Sequence, residues 1–386
     1  MRMLLFLTAL SIILILESSS VALSLSLVNN NSINNRNPIH TLLLCRHGDS
    51  IWNGGEPGGT KETFTGWTDV ALSQKGTQEA FNTGQEVSSY NQGIDACFTS
   101  ILTRATLTAH HCTWAFSEQP FYTHPRKYVS DYRLNERHYG ALQGLVKMDV
   151  ESGIYGHDPK LVKQWRRNWY AVPPLLDHDD PRRIQEIQKY ANFCNGEENV
   201  PRGESLEMVA NDRIRPFLDQ VLHPIMEEAA ERKYIHCRQS NDKTTTDGCH
   251  IGGTGLVIAH ANSLRALIGV ICQVENDQKA LEKLEAMKIL TGVPLIMKYQ
   301  KNEDGGTYHA HDITKDLDNH WDSQNMKNIS PDLPVWPLSC IPKRKFQLSP
   351  SSTVTTSSTT DDQELRNENK YGARRKTNAK IRIDVI

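Results

Sequence analysis

The segment Leu42-Leu43-Leu44-Cys45-Arg46-His47-Gly48-Asp49-Ser50-Ile51-Trp52-Asn53 sets the architecture expected for this 386-residue chain. Its apolar half predicts a buried parallel strand, because strands covered on both faces are built from continuous apolar residues. The strand pattern stops at Arg46, His47 and Gly48. Open α/β sheets bind ligands beyond the carboxyl ends of their strands, so we expect His47 at such an edge. An isolated Arg-His-Gly triplet is too short to assign a function.

A second segment has the same design. Gly255-Leu256-Val257-Ile258-Ala259-His260-Ala261-Asn262-Ser263-Leu264-Arg265 passes from an apolar strand pattern into His260 and then into a helical pattern. Parallel strands share one carboxyl edge, so the two histidines are expected to meet there although they are far apart in the sequence.

The rest of the chain alternates between helix and strand patterns. Helices are predicted at Ser73–Tyr90, Leu102–Phe116, Ser205–Arg232 and Gln278–Met287, strands at Ile94–Thr99 and Pro294–Tyr299, and a strand or extended chain at Tyr128–Leu134. Pro216 and Pro224 are expected to kink or divide the long third helix. The alternation predicts an α/β protein, a three-layer α/β/α sandwich with a mainly parallel sheet.

The residues at the predicted sheet edge suit phosphoryl transfer. A neutral imidazole such as that of His47 can attack phosphorus, and guanidinium groups bind phosphate oxygens as a planar fork. Negative charge spreads over the equatorial oxygens during transfer, and an enzyme without a metal can stabilise it with arginine and imidazolium groups. Arg46, Arg104 and His260 are the candidates, since Arg104 follows a third predicted strand.

Seven blocks of sequence then carry a resemblance. They are R-H-G-D-S-I-W-N at Arg46–Asn53, F-T-G-W-T-D-V-A-L-S at Phe64–Ser73, T-S-I-L-T-R-A at Thr99–Ala105, L-N-E-R-H-Y-G-A-L-Q-G at Leu134–Gly144, Q-W-R-R at Gln164–Arg167, G-E-S-L at Gly203–Leu206 and A-H-A-N-S-L-R-A at Ala259–Ala266. In this order they resemble the cofactor-dependent phosphoglycerate mutases of the histidine phosphatase superfamily.

The resemblance implies a phosphoglycerate mutase-like fold and the interconversion of 3-phosphoglycerate and 2-phosphoglycerate in glycolysis and gluconeogenesis. The reaction would pass through a phosphohistidine, with 2,3-bisphosphoglycerate as primer and no metal. The catalytic residues implied are His47, Glu136, His260, Arg46 and Arg104. The substrate-binding residues implied are Asn53, Thr65, Gly66, Arg137, His138, Tyr139, Lys147, Arg166, Arg167, Ala261 and Asn262.

Glu136 is the expected acid and base. Moving a phosphoryl group between two alcohol oxygens requires a proton to leave one hydroxyl and another to reach the second, which one carboxylate can perform. Two other functions stay open: a phosphatase of the same superfamily, in which water accepts the phosphoryl group, and a non-enzymatic phospho-ligand binder. The intact catalytic set disfavours the binder, and the blocks at Leu134–Gly144 and Gln164–Arg167 favour the mutase.

Three departures from the family pattern matter. Gly54–Thr63 is longer and richer in glycine than the usual link and has Thr63 where an arginine is usual. Ala261 replaces a common glycine, and Asp49 replaces a common glutamate. Ala261 keeps its backbone N–H for a phosphate unless its φ must be positive. Substrate access is therefore in more doubt than catalysis.

The amino terminus has the layout of a secretory signal peptide, with an apolar run from Leu4 to Leu16 and a small-residue site at Ser20-Val21-Ala22. This leader indicates entry into the endomembrane route or an organelle reached through it, and a cytoplasmic location if it is not used. The predicted organisation is a leader at 1–22, a linker at 23–40, a catalytic domain at 41–345 with an insertion at about 233–253, and a disordered polar tail at 346–386.

A net charge of −2 excludes a strongly basic nucleic-acid-binding protein. The expected partners are small phosphoglycerates, without a stable membrane span once the leader is removed; a homo-oligomer is left open. Cys45, Cys97 and Cys272 lie in apolar patterns that predict buried thiols. Cys237 and Cys249 bracket a polar segment, where a disulfide, a metal site or no special role all fit the spacing.

Overall fold

The structure, a computed structural model, describes residues 37–54, 61–90, 93–117, 124–239, 251–302, 306–311 and 333–340. The chain divides into two units, Met1–Arg344 and Lys345–Ile386, and all the described residues belong to the first. The predicted leader, most of the linker, the polar tail and residues 240–250 of the insertion lie outside the described residues. None of the described helices is both long and apolar enough to cross a membrane.

Strands and helices alternate at the start of the described chain, and a run of helices then precedes the later strands. They are β1 (Ile39–Arg46), α1 (Gln74–Ser88), β2 (Ala96–Thr99), α2 (Thr103–Ser117), β3 (Lys127–Ser130), α3 (Lys147–Glu151), α4 (Pro159–Arg167), α5 (Pro181–Tyr190), α6 (Leu206–Met208), α7 (Arg215–Phe217), α8 (His223–Gln239), β4 (Ile251–Ala259), α9 (Ala261–Ile271), α10 (Gln278–Ala286), β5 (Leu295–Lys301), β6 (Tyr308–His311) and β7 (Trp336–Pro337).

Several helices begin where the sequence provides a capping side chain. The Ser73 hydroxyl accepts a hydrogen bond from the Gly76 N–H at the start of α1. Asp158 and Asp180 cap α4 and α5, each followed by a proline at the first helical position. A cap of this kind satisfies a backbone donor that has no partner inside the helix.

The sheet has the strand order β3-β2-β4-β1-β5-β6, with β7 also paired to β5. The strands β3, β2, β4 and β1 are parallel, whereas β5, β6 and β7 pair antiparallel. The predicted three-layer α/β fold is confirmed, with a mixed sheet whose parallel part ends in the predicted site residues. An apolar strand pattern does not encode direction, so the antiparallel edge was not foreseen.

Alternate residues of β1 enter two different cores. Leu42 and Leu44 pack with residues from the helical run that begins at α6 and from α9 and α10. Leu43 and Cys45 pack on the opposite face with residues from α1 and α2. Each fully buried leucine contributes about 1.5–3 kcal/mol to folding, so β1 is fixed from both sides. This double burial explains the continuous apolar run that precedes His47.

The long amphipathic helix is not divided by its prolines, which leaves a local distortion of the two outcomes expected. The chain stays helical from Leu206 to Gln239, with π-helical turns at Val209–Ile214 and Leu218–Leu222. Each turn lies immediately before the helical segment that contains Pro216 or Pro224. A π-helical turn accommodates a residue that lacks the usual N–H donor, so the helix bulges without ending.

Other boundaries also differ from prediction. The extended pattern at Tyr128–Leu134 divides into β3 and a 3₁₀ turn at Tyr132–Leu134, whose first N–H groups Asp131 caps. The strand predicted at Pro294–Tyr299 is not the last, since β6 and β7 both pair with it. Cys45 and Cys97 are buried thiols, and Cys272 is partly buried. Cys249 lies outside the described residues, so its pairing with Cys237 stays a prediction.

Candidate active site

The register between two neighbouring parallel strands brings the two histidines together. Arg46 of β1 pairs with Ala259 of β4, so the next residue on each strand is a histidine. The ring centroids of His47 and His260 are 4.9 Å apart, with the ring planes inclined by 57°. The predicted meeting of these residues at one sheet edge is thus a direct result of strand pairing.

The environment of His47 keeps its ring neutral and fixes its tautomer. The Nδ1 atom lies 2.7 Å from the Gly48 carbonyl oxygen. A carbonyl only accepts, so Nδ1 carries the ring proton and Nε2 keeps its lone pair. Burial, together with the charges of Arg104 and Arg46, lowers the pKa of His47 well below its usual 6.5. His47 therefore presents a nucleophilic nitrogen at neutral pH.

Glycine is required after His47 because α1 approaches the strand end closely. A Cβ atom on Gly48 would lie 2.2 Å from the Gly76 carbonyl oxygen. The Gly48 N–H also donates to the Thr108 hydroxyl at 3.0 Å. Two helices that cover the same face of the sheet, α1 and α2, thereby fix the backbone that carries the nucleophile.

His260 is fully buried against His47. Its Nε2 lies 2.7 Å from the Ser100 hydroxyl oxygen, while its buried Nδ1 has no hydrogen-bond partner among the described residues. Burial, then the charges of Arg104 and His47, lowers the pKa of His260 well below its usual value. The ring is therefore neutral at neutral pH. It is fully buried and is not among the residues that line the cavity, so a contact between His260 and a phosphate stays a prediction.

Arg46 and Arg104 are anchored by backbone carbonyls. Arg104 donates to the Thr68 and Gly66 carbonyls at 2.9 and 2.8 Å. Burial lowers the pKa of Arg104 to about 10, which leaves it charged at neutral pH. Arg46 donates to the Ile289 carbonyl at 3.2 Å, and its buried Nε has no partner within the described chain. Both side chains are held rigidly at the site.

The turn that contains Thr65 and Gly66 needs glycine. Gly66 has a φ of +52°, and a Cβ atom there would lie 1.9 Å from the Gln143 Oε1 atom. That Gln143 oxygen accepts the Trp67 N–H at 2.8 Å. The turn is therefore held by a buried amide on one side and by Arg104 on the other.

His138 has a supporting position behind this turn. Its Nε2 lies 2.9 Å from the Glu186 Oε2 atom, and the other Glu186 oxygen accepts from the Gln143 amide at 2.7 Å. The ring is fully buried and does not line the cavity, so the predicted substrate contact of His138 stays a prediction. His138 fixes Gln143, which fixes the Gly66 turn.

Arg137 is also not on the cavity wall. Its side chain is fully buried and donates to the backbone carbonyls of Trp165 and Arg166. It lies over the Tyr139 ring, with 4.7 Å between the guanidinium carbon and the ring centroid. Its Nη2 holds the end of α4, which carries two cavity arginines, while its buried Nε and Nη1 have no hydrogen-bond partner among the described residues. Its predicted contact with substrate stays a prediction.

Glu136 offers one carboxylate oxygen to the cavity. Its Oε1 accepts the backbone N–H groups of Arg137 and Asn262 at 2.7 and 3.2 Å. Its carbonyl oxygen accepts from the Trp67 indole at 2.8 Å. With Oε1 fixed, Oε2 is the atom left to exchange a proton with a bound hydroxyl group.

A cavity of about 320 Å³ is lined by His47 and Glu136 together with many charged side chains. Seven cationic side chains and two carboxylates line it: Arg46, Arg104, Lys147, Arg166, Arg167, Arg265 and Lys288, with Glu62 and Glu136. The predicted residues His47, Asn53, Thr65, Gly66, Tyr139, Ala261 and Asn262 also form its wall. The excess of positive charge suits a small ligand with several negative groups.

Two of the cations have carboxylate partners at the rim. Lys147 donates to Glu62 at 2.5 Å, and Arg166 pairs with Glu151. Burial opposes ionisation of Glu62, but the Lys147 ammonium outweighs it and lowers the pKa of that carboxyl. A bound anion would compete with Glu62 and Glu151 for these cations.

Ala261 needs no positive φ. It is the first residue of α9, and the described non-glycine residues with positive φ are Asn195 and Gln273. The Ala261 N–H therefore keeps the position that a helix start offers to an anion. This departure from the family pattern leaves the site intact, whereas residues 55–60 of the longer loop lie outside the described part.

Sequence reasoning missed Arg265, Glu62 and Lys288. Arg265 could have been found, because it is three residues after Asn262 in a predicted helix and therefore on the same face. Glu62 and Lys288 lie in none of the seven blocks that carry the resemblance, and only the fold brings them to the cavity. No group of three or more metal-binding side chains occurs among the residues described.

This chain is similar in sequence to known proteins. Residues 42–186 match the sequence profile of the histidine phosphatase superfamily (branch 1). The chain is 35% identical over 260 residues to 2,3-bisphosphoglycerate-dependent phosphoglycerate mutase 2 of Lactiplantibacillus plantarum, covering 67% of this chain and 94% of the relative. It is 33% identical over 264 residues to 2,3-bisphosphoglycerate-dependent phosphoglycerate mutase of Hamiltonella defensa, covering 68% and 88%.

A solved phosphoglycerate mutase from Bacillus anthracis str. Sterne aligns with a TM-score of 0.40 and 18% identity, over 72% of this chain and 93% of that one. The sequence relationship is the stronger of the two. This chain belongs to the histidine phosphatase superfamily, and it is an enzyme of that superfamily.

Proposed function

We propose that this enzyme interconverts 3-phosphoglycerate and 2-phosphoglycerate through a phosphohistidine at His47. The observation that carries the proposal is the position of Glu136, whose unengaged carboxylate oxygen lines the same cationic cavity as the neutral His47 ring. A mutase needs both a nucleophile for phosphorus and a base for a sugar-acid hydroxyl. The names of the relatives at 33–35% identity support the same assignment.

His47 would accept and return the phosphoryl group. Its Nε2 lone pair forms the N–P bond while the P–O bond to the donor alcohol breaks, and the departing oxygen takes up a proton. Arg46 and Arg104 hold the phosphoryl oxygens, which carry the developing negative charge. His260 would supply a third contact, since its ring centroid lies 4.9 Å from that of His47.

Glu136 would move the proton. When a monophosphoglycerate hydroxyl attacks phospho-His47, Oε2 removes the hydroxyl proton as the new P–O bond forms and the N–P bond breaks. In the reverse sense the protonated carboxyl returns that proton to the leaving oxygen. The backbone contacts to Oε1 keep the carboxylate in place through both halves of the reaction.

We propose 2,3-bisphosphoglycerate as the primer, which supplies the phosphoryl group that loads His47. The cavity residues fit such a molecule, since two phosphates and a carboxylate need several cations and seven are present. Lys147, Arg166, Arg167 and Lys288 are the cations placed to hold the groups that do not react. Donors of this kind require no metal.

The test is turnover of 3-phosphoglycerate by the purified chain, with and without 2,3-bisphosphoglycerate. The expected result is formation of 2-phosphoglycerate that depends on the primer and exceeds release of inorganic phosphate. Release of phosphate without isomer formation would contradict the mutase and support the phosphatase, in which water accepts the phosphoryl group. Binding without either product would support the non-enzymatic binder.

We further propose that residues 1–22 direct the chain into the endomembrane route, ahead of a catalytic domain at 41–345 and a polar tail. Amino-terminal sequencing of the protein isolated from cells would test this. Cleavage after Ala22 is expected, and an intact amino terminus on cytoplasmic protein would contradict it.

A further inference from the structure

Arg265 lines the cavity, and each of its three guanidinium nitrogens donates a hydrogen bond to a buried acceptor. It is 4% exposed. Its Nη1 donates to the Asn262 Oδ1 atom at 2.5 Å, and its Nε and Nη2 donate to the carbonyls of Leu284 and Met287 at 3.0 and 2.7 Å. Leu284 lies in the last turn of α10 and Met287 immediately follows that helix, so the side chain cannot swing away without losing two buried contacts.

This anchoring fixes the orientation of a neighbouring amide. A guanidinium group has only donors, so the Asn262 oxygen must face it and the Asn262 nitrogen must point away. That nitrogen donates to the Tyr139 hydroxyl oxygen at 2.7 Å. The choice between the two orientations of the Asn262 amide is therefore made by Arg265, not by a local preference of the amide.

The orientation of the Asn262 amide also decides where the Tyr139 hydroxyl group donates its hydrogen. Because its oxygen accepts from Asn262, its own O–H hydrogen has to find another acceptor. No such acceptor is found for it within the described residues, and Tyr139 lines the cavity. A hydroxyl that points a hydrogen into a cationic cavity is suited to an anionic oxygen, whereas the opposite orientation would point a lone pair at it.

We propose that Arg265 is a positioning residue. It sets the direction of the hydrogen bonds that link Arg265, Asn262 and Tyr139, so that Tyr139 donates a hydrogen bond to the anionic ligand. The proposal rests on the proposed function for its substrate, a phosphoglycerate. It gives Arg265 a role distinct from its charge, because that role is exerted through the hydroxyl of another residue.

The alternative is a purely structural role, since Arg265 also ties α9 to the end of α10. The two roles differ in one measurable respect. A structural defect weakens ligand binding whether or not Tyr139 has a hydroxyl group. If Arg265 acts by setting the direction of the Tyr139 hydrogen bond, its loss weakens binding only while that hydroxyl group is present. Mutant cycles that include Tyr139→Phe separate these cases.

The experiment measures the loss of affinity on Tyr139→Phe in three backgrounds, by calorimetry with 3-phosphoglycerate and with inorganic phosphate. In wild type the loss should be about tenfold or more, as for a hydrogen bond to a charged acceptor. In Arg265→Gln, where the Asn262 amide can turn, it should fall to about threefold or less.

The third background reverses the hydrogen bond between residue 262 and Tyr139 and leaves Arg265 unchanged. In Asn262→Asp the new carboxylate can only accept, so Tyr139 must donate to it and the ligand loses that donor. Tyr139→Phe should then change affinity by less than about twofold. This arm stays informative if Arg265→Gln fails to fold, because Arg265 and its contacts with α10 are kept.

An equal loss on Tyr139→Phe in all backgrounds would overturn the proposal and leave Arg265 a structural residue. Mutase turnover of the wild type is measured separately. Its absence, with phosphate still bound, would contradict the proposed function, while the cycles with inorganic phosphate would still decide whether Arg265 sets the direction.

Discussion

Replacing Glu136 with glutamine should remove proton transfer and little else. The Oε1 atom of Glu136 accepts two backbone N–H groups, from Arg137 and Asn262, and an amide oxygen can accept the same two. The amide nitrogen would then take the place of Oε2 at the cavity. A base is exchanged for a donor, while the shape and the buried contacts are kept.

The size of the effect follows from this geometry. A general base contributes about 10²–10⁴-fold to proton transfer, so discharge of phospho-His47 to 3-phosphoglycerate should slow by that factor. Ground-state binding should not weaken, because removing one of two carboxylates from a cavity with seven cations makes it more attractive to an anion. Spontaneous hydrolysis of the phosphohistidine needs no proton from a sugar-acid hydroxyl and should change much less.

The assay loads His47 with labelled phosphate, removes the donor and follows loss of label with and without 3-phosphoglycerate. Glu62→Gln is the matched control, since it removes the other cavity carboxylate, which pairs with Lys147 and is not placed as the base. The control should alter affinity more than the discharge rate. A Glu136→Gln enzyme that discharges to 3-phosphoglycerate as fast as wild type would refute the assignment.

Three further predictions follow. His260→Ala should slow phosphorylation in rapid-quench experiments more than it weakens phosphate binding, and equal losses would mark His260 as a ground-state contact only. Gly66→Ala should lower the free energy of unfolding in urea by about 2–4 kcal/mol, through positive φ and the clash with Gln143; an unchanged midpoint would contradict this. Burial lowers the pKa of His223 to about 3, so the unfolded chain gains a proton as pH falls below 6.5 while the folded chain does not. Acidification to pH 5 should therefore cost about 2 kcal/mol that His223→Phe abolishes, and an equal acid sensitivity of both proteins would contradict it.

The sequence indicated the parallel part of the sheet well because double burial leaves a strong pattern. Leu42–Cys45 face two cores, so an apolar residue is required at every position. The response of the long helix to Pro216 and Pro224 was not predictable, because both a kink and a π-helical turn satisfy the missing donor and packing chooses between them.

In the site too, residues marked by a local pattern could be predicted, and contacts between distant segments could not. His47, His260 and Arg104 could be placed together because each follows a strand of one sheet. His138 supports the site through Glu186, and Arg265 is held by the carbonyls of Leu284 and Met287. These are contacts between distant segments of the chain. A motif marks such a residue but does not tell a ligand contact from a buried support.

The central claim is that His47 carries the phosphoryl group. The most direct measurement is mapping of the phosphorylated residue by mass spectrometry after brief exposure to 2,3-bisphosphoglycerate, under alkaline conditions that preserve phosphohistidine. We expect phosphate on the peptide that contains His47, at near one group per chain, and none in His47→Ala. Phosphate on another residue, or unchanged labelling of His47→Ala, would contradict it.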